Sequence, residues 1–107
     1  MNITEDRHGD VVVLRCEGRY ESSDPNLLHL VRDLLAVGER RITIDYREVP
    51  FLGAAAVGMT LASANLVNAS GGSLAVVSRV APASYSPILQ ELPWFTSLED
   101  ALEFLAD

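Results

Sequence analysis

Ile42-Thr43-Ile44-Asp45-Tyr46-Arg47-Glu48-Val49-Pro50-Phe51-Leu52-Gly53-Ala54-Ala55-Ala56-Val57-Gly58 is the stretch on which the reading of this chain turns. Ile42 and Ile44 mark a buried strand ending at Asp45, Pro50 and Gly53 punctuate a turn, and a helix over 54–69 begins in side chains of almost no size. A helix start with nothing large on it leaves its first amide N–H groups open to a partner. From position 49 through 59 there is no Ser, Thr, Cys, His, Asp, Glu, Lys or Arg. The spot suits binding and offers no side chain for bond-breaking chemistry.

Outward from there, strand and helix patterns alternate. Positions 3–8 read as a short edge strand, Gly9-Asp10 as a hairpin turn, and positions 11–18 as a β-branched run of strand length, so two antiparallel strands open the fold. Asp24-Pro25 has the form of an N-cap followed by proline at the first helical position. Leu27, Leu28, Val31, Leu34 and Leu35 then share one helical face, Asn26, His29, Arg32 and Asp33 lie largely opposite, and Gly38 is the stop. After the central strand and helix, Gly71-Gly72 ends the helix, and Leu74, Ala75, Val76 and Val77 form a second buried strand, parallel to the first through a right-handed crossover. Positions 82–92 are weakly helical, interrupted by Pro87, with Trp94-Phe95 after their end. Thr96 to Glu99 resembles a capping box for a last helix that turns Leu98, Ala101, Leu102 and Leu105 inward.

Composition narrows the function classes. A chain of 107 residues, 49% apolar with mean hydropathy +0.18, has material for one compact core and is read as a single domain, 1–107. Fifteen acidic against eight basic residues give a net charge of −7, which repels phosphate backbones and anionic lipid headgroups. Nucleic acid and membrane surface are therefore poor partners. The first residues lack the apolar core of a leader, and no apolar run approaches the roughly 20 residues that span a bilayer, so the expectation is a cytoplasmic protein without membrane insertion. The single cysteine, Cys16, lies in an apolar run and is expected in the core.

The order of these elements, with Gly18-Arg19-Tyr20-Glu21 after the second strand, Ile44-Asp45-Tyr46-Arg47-Glu48-Val49 before a helix, the small-residue turn at 53–58 and Gly71-Gly72-Ser73-Leu74 before the next strand, resembles the STAS domain. That is the family of anti-sigma factor antagonists and of the cytoplasmic tails of sulphate transporters, and the likeness covers nearly the whole chain. It implies an α/β STAS fold, with a mixed, mostly parallel sheet and helices mainly on one face. It also implies a non-catalytic binding domain without cofactor, whose partner is an anti-sigma factor of the histidine-kinase-like ATPase class. The docking surface it implies is Glu21, Ser22, Ser23 and Asp24 together with Leu52, Gly53, Ala54, Ala55, Ala56, Val57 and Gly58.

The family signature at this helix start is Asp-Ser-Ser-Gly-x-Gly, and the partner kinase phosphorylates its second serine. Here Gly53 stands for the acid, Ala55 for the phosphorylated serine and Ala56 for the first glycine, while Gly58 is retained. A phosphate would place a charge of about −1.5 to −2 on the interface. Ala55 has no hydroxyl to carry one. Thr60 and Ser63 lie further along the helix, rotated inward, and are not expected to substitute.

The three alanines have two readings. Alanine is the best helix former and fits a crowded contact; alternatively, the docking surface persists while its regulation is lost, giving a constitutive antagonist, a scaffold subunit or a decoy. Ser22 and Ser23 are either turn residues, which is favoured, or a relocated phosphoacceptor. Asp45 is read as a holder of loop amides in preference to a ligand contact. His8 and His29 have no partner at metal-ligand or catalytic spacing and are read as solvated. Trp94 and Phe95 fill the gap between the last helices and the sheet, or touch a partner. Two other classes remain: a structural subunit of a larger signalling or transport assembly, homo-oligomeric in that role, and a nucleotide-binding domain using the bare helix start as an anion site.

Overall fold

The computed structural model describes residues 1–19, 27–79 and 92–106. Strand β1 (Asn2–His8) pairs antiparallel with β2 (Val11–Glu17) across a turn in which Gly9 takes a φ of 63°. Helix α1 (Leu27–Ala36) leads to β3 (Arg41–Glu48), helix α2 (Ala54–Ala69) to β4 (Ser73–Val77), and a two-residue β5 (Trp94–Phe95) precedes helix α3 (Leu98–Leu105). The sheet order is β1-β2-β3-β4-β5, and β2 through β5 run parallel. This is the expected mixed, mostly parallel sheet with an antiparallel opening.

The two-residue period of the strands sorts their side chains to two faces. Val12, Leu14 and Cys16, Ile42, Ile44 and Tyr46, and Leu74 and Val76 are buried with Leu27, Val31 and Leu34 of α1 and Ala56, Ala64 and Val67 of α2. Val11, Val13, Ala75 and Val77 form a smaller core against Ala101 and Leu105 of α3. Among the described residues two helices thus cover one face and a single short helix the other. Among the described residues no helix is long and apolar enough to cross a membrane.

Two local expectations need correction, and a third, the packing of Trp94 and Phe95 against the sheet, gains a strand pairing. The central strand does not stop at Asp45: the pairing with β2 shifts between Arg15 and Glu17, so that Glu17 pairs with Glu48 and Gly18 N–H donates to the Glu48 carbonyl at 3.1 Å. This irregularity extends the ladder past the apolar run that marked it. The cap of the last helix is Ser97, whose hydroxyl accepts from Asp100 N–H at 3.1 Å, one position later than the Thr96–Glu99 box. Trp94-Phe95 is an edge strand against Val76 and Val77, with Trp94 packed on the larger core and Phe95 on the smaller. The Asp24-Pro25 cap lies outside the described residues, as does the weakly helical stretch except for Leu92.

Gly71-Gly72 does more than end α2. Gly71 takes a φ of 82°, whereas Gly72 is required by space: a β-carbon there would run into the Arg40 carbonyl oxygen and lie 3.0 Å from Val67 Cγ1. The chain leaves α2 over the start of β3, with Gly72 N–H on the Val67 carbonyl at 2.9 Å and Ser73 N–H on the Arg40 carbonyl at 2.8 Å. Gly72→Ala should therefore lower the free energy of unfolding by about 1–3 kcal/mol, the usual range for overpacking. In urea melts Gly58→Ala serves as the contrast, because a β-carbon at Gly58 meets nothing within 4 Å. It should leave stability unchanged or raise it by about 1 kcal/mol through helix propensity.

Candidate functional site

The loop that delivers the chain from β3 to α2 is held by two buried plugs. Val49 is buried and its N–H donates to the Tyr46 carbonyl at 3.0 Å, while Leu52 sits in the larger core. Pro50 and Phe51 between them face outward, Phe51 with 59% of its surface exposed. Gly53 is the N-cap in extended geometry and supplies no capping side chain, and the first intrahelical bond runs from Val57 N–H to the Gly53 carbonyl at 3.0 Å. The amides of Ala54, Ala55 and Ala56 precede that bond at the positive end of the helix.

Of the residues expected at the surface, Ala54, Ala55 and Gly58 are exposed, Gly53 and Val57 half-buried, and Leu52 and Ala56 turned into the core. Ala54, Ala55 and Gly58 fall on one helical face. They form a flat uncharged step. Neither glycine is imposed by internal packing, since a β-carbon at Gly53 would meet Phe51 Cε1 at an ordinary 3.6 Å. A glycine inside a helix costs about 1 kcal/mol relative to alanine, so the bare surface at Gly58 is kept against local propensity. Glu21, Ser22, Ser23 and Asp24 lie outside the described residues.

Two residues at this place escaped the sequence reading. Arg19 and Phe51 line, with Gly53, Ala55 and Ala56, a cleft of about 290 Å³ beside the helix start. The start of the loop after β2 is thereby brought against α2, as the STAS resemblance implies. A large aromatic between proline and leucine in a turn was the available signal for Phe51; Arg19 stands in the 18–21 stretch that carries the STAS resemblance, where nothing gave it a role of its own.

The position of α2 is set from below. Thr60 Oγ1 donates to the Ala56 carbonyl at 2.8 Å, so its oxygen accepts from the Tyr46 hydroxyl, 2.6 Å away. Tyr46 and Thr60 are both buried, and this chain of two bonds pins the first turns of α2 to the middle of β3. Thr60 and Ser63 are closed to a modifying enzyme. Burial, and secondarily the charge of Asp45, pushes the Cys16 thiol up to about 12. Burial likewise raises the Tyr46 phenol above its ordinary range.

On the opposite face Asp45, with a side chain 2% exposed, accepts from Arg47 at backbone N–H (3.0 Å), Nε (3.0 Å) and Nη2 (2.8 Å). The bidentate pairing raises the Arg47 pKa further. Asp45 is occupied by a residue of its own strand. His8 and His29 are exposed, and among the described residues no group of three or more His, Cys, Asp or Glu is placed to hold a metal.

Among solved structures, an anti-sigma factor antagonist from Mycobacterium paratuberculosis aligns with a TM-score of 0.84 at 22% identity, over 99% of this chain and 94% of that one. The chain has the anti-sigma factor antagonist fold. SpoIIAA in its unphosphorylated form matches this STAS-like fold with a TM-score of 0.69 at 16% identity, over 96% of each chain. An uncharacterised protein with a SpoIIAA-like fold from Shewanella loihica matches with a TM-score of 0.56 at 19% identity, over 98% of this chain and 93% of that one. No family model and no curated protein sequence matches.

Two measurements check this geometry. Tyr46→Phe should cost about 1 kcal/mol, and Thr60→Val about 1–3 kcal/mol because it orphans a buried phenol, with the double variant costing less than the sum. Urea melts of the four proteins read the coupling directly. Because the folded state holds the Cys16 and Tyr46 protons more tightly than the unfolded chain, their contribution is fully present below the ordinary thiol value of about 9 and is lost as pH climbs toward about 12. Unfolding midpoints should fall across that window, and less steeply in Cys16→Ala.

Proposed function

We propose that this domain is a non-catalytic regulatory module that docks, through the head of α2, onto an anti-sigma factor of the histidine-kinase-like ATPase class and so releases a sigma factor in the cytoplasm. The observation that carries this reading is the flat, uncharged step of Ala54, Ala55 and Gly58, open to solvent beside an exposed Phe51. The fold it shares with anti-sigma factor antagonists supports the same choice. With Ala55 at the place of the family's phosphorylated serine and Thr60 and Ser63 buried, attachment of phosphate to α2 has no acceptor. Docking is then constitutive with respect to that switch. Residues 21–24 complete the proposed surface.

The test pairs the chain with an anti-sigma factor of that class from the same genome. By calorimetry the wild type should bind, and Ala55→Glu, which adds bulk and charge at the centre of the step, should bind at least about tenfold more weakly while its melting temperature changes little. Incubated with ATP and the partner, wild type should take up no phosphate on α2, and Ala55→Ser should become phosphorylated there. Unchanged affinity of Ala55→Glu for the partner refutes the surface.

A further inference from the structure

We infer that the segment docking at the head of α2 presents an acidic side chain beside an apolar one, its carboxylate on Arg19 and its apolar group on Phe51; this rests on the docking reading above and specifies the chemistry of the visitor. All eight basic residues of the chain are arginines. Arg7, Arg15, Arg41, Arg47 and Arg79 each meet a carboxylate, and Arg40 donates to backbone carbonyls. Among the described residues Arg19 and Arg32 have no such acceptor. Arg32 lies on the solvent side of α1, whereas Arg19 is a wall of the cleft of about 290 Å³ that Phe51, Gly53, Ala55 and Ala56 complete.

The surroundings favour an anion from outside. The molecule carries a net charge of −7, yet positions 49–59 contain no acid, and Glu17 and Glu48 on the adjoining strand ends are taken by Arg15 and Arg79. Among the described residues the guanidinium therefore stands as an unneutralised cation beside the uncharged first turn of α2, on a protein that elsewhere repels acidic partners. A carboxylate brought there makes a forked, charge-assisted pair in a cleft that partly excludes water. Phe51 supplies the apolar half: it is 59% exposed and has no ring partner among the described residues, unlike Phe104, whose centroid lies 5.3 Å from that of Phe95. Aromatics and arginines dominate the energetics of interface centres.

Panning a library of random dodecapeptides against the full chain tests this without a known partner. Enriched peptides that Ala55→Glu blocks should place Asp or Glu within a few residues of an aromatic or aliphatic side chain. They should lose about tenfold or more in affinity on Arg19→Glu or Phe51→Ala, and weaken as ionic strength rises. Panning on Arg19→Glu should exchange the acid for Lys or Arg, and circular dichroism of that variant should match wild type, because the changed side chain is exposed. Enriched peptides that Ala55→Glu blocks but that carry no acid and ignore Arg19→Glu overturn the inference and leave the docking surface standing. Enrichment only of peptides indifferent to Ala55→Glu overturns both.

Discussion

The buried bond between the Tyr46 hydroxyl and Thr60, passed on to the Ala56 carbonyl, fixes where everything else at this site can be. Among the described residues Tyr46 is the largest of the fully buried side chains, and its hydroxyl is a polar group that must find a partner in an apolar core. Thr60 meets that need and, in turn, bonds one turn back along α2. The helix is thereby held at one height and one rotation on β3. Its exposed first turn, small as its side chains are, is a rigid feature, and a rigid surface loses little entropy when a partner lands on it. The same bond consumes Thr60, so the first hydroxyl along α2 after Ala55 serves packing.

Division of the sheet into two unequal faces explains the rest of the charge pattern. The face under α1 and α2 is apolar from Val12 to Tyr46, whereas α3 is short and covers only the other face at Val11, Val13, Ala75 and Val77. Beyond α3, β2 and β3 present Arg15, Glu17, Asp45 and Arg47, which line an open polar cleft of about 390 Å³. These charges answer one another: Arg47 closes on Asp45 and Arg15 on Glu17. Glu48, which also lines the cleft, is met by Arg79, whereas among the described residues Arg19 at the head of α2 meets no carboxylate.

Most of the architecture was legible because hydrophobic periodicity reports burial. The apolar runs at 11–18 and 74–77, the helical spacing of Leu27, Val31 and Leu34, and the glycine stops at Gly38 and Gly71 lie where their local physics places them, the first as β2 over Val11–Glu17. What was missed depends on tertiary contact. The extension of β3 through Glu48 follows from a pairing irregularity in its neighbour; β5 is two residues long and exists only because β4 offers an edge; Gly72 is needed because the Arg40 carbonyl passes over it. At the site, the bareness of positions 53–58 was readable as composition, and its exposure is a fact of the fold. Phe51 and Arg19 gained their interest only when folding set them on one cleft.

The proposed reading separates a module that docks through the bare head of α2 from one that shares only the fold. Backbone amide chemical shifts of the isotope-labelled chain, followed as an anti-sigma factor of the ATPase class is added, address that distinction most directly. The largest changes should cluster at Arg19 and at positions 51–58, with α3 and the Asp45–Arg47 face left in place. Changes centred on α3 or on that charged face, with positions 51–58 unmoved, would contradict the assignment of the head of α2 as the docking surface.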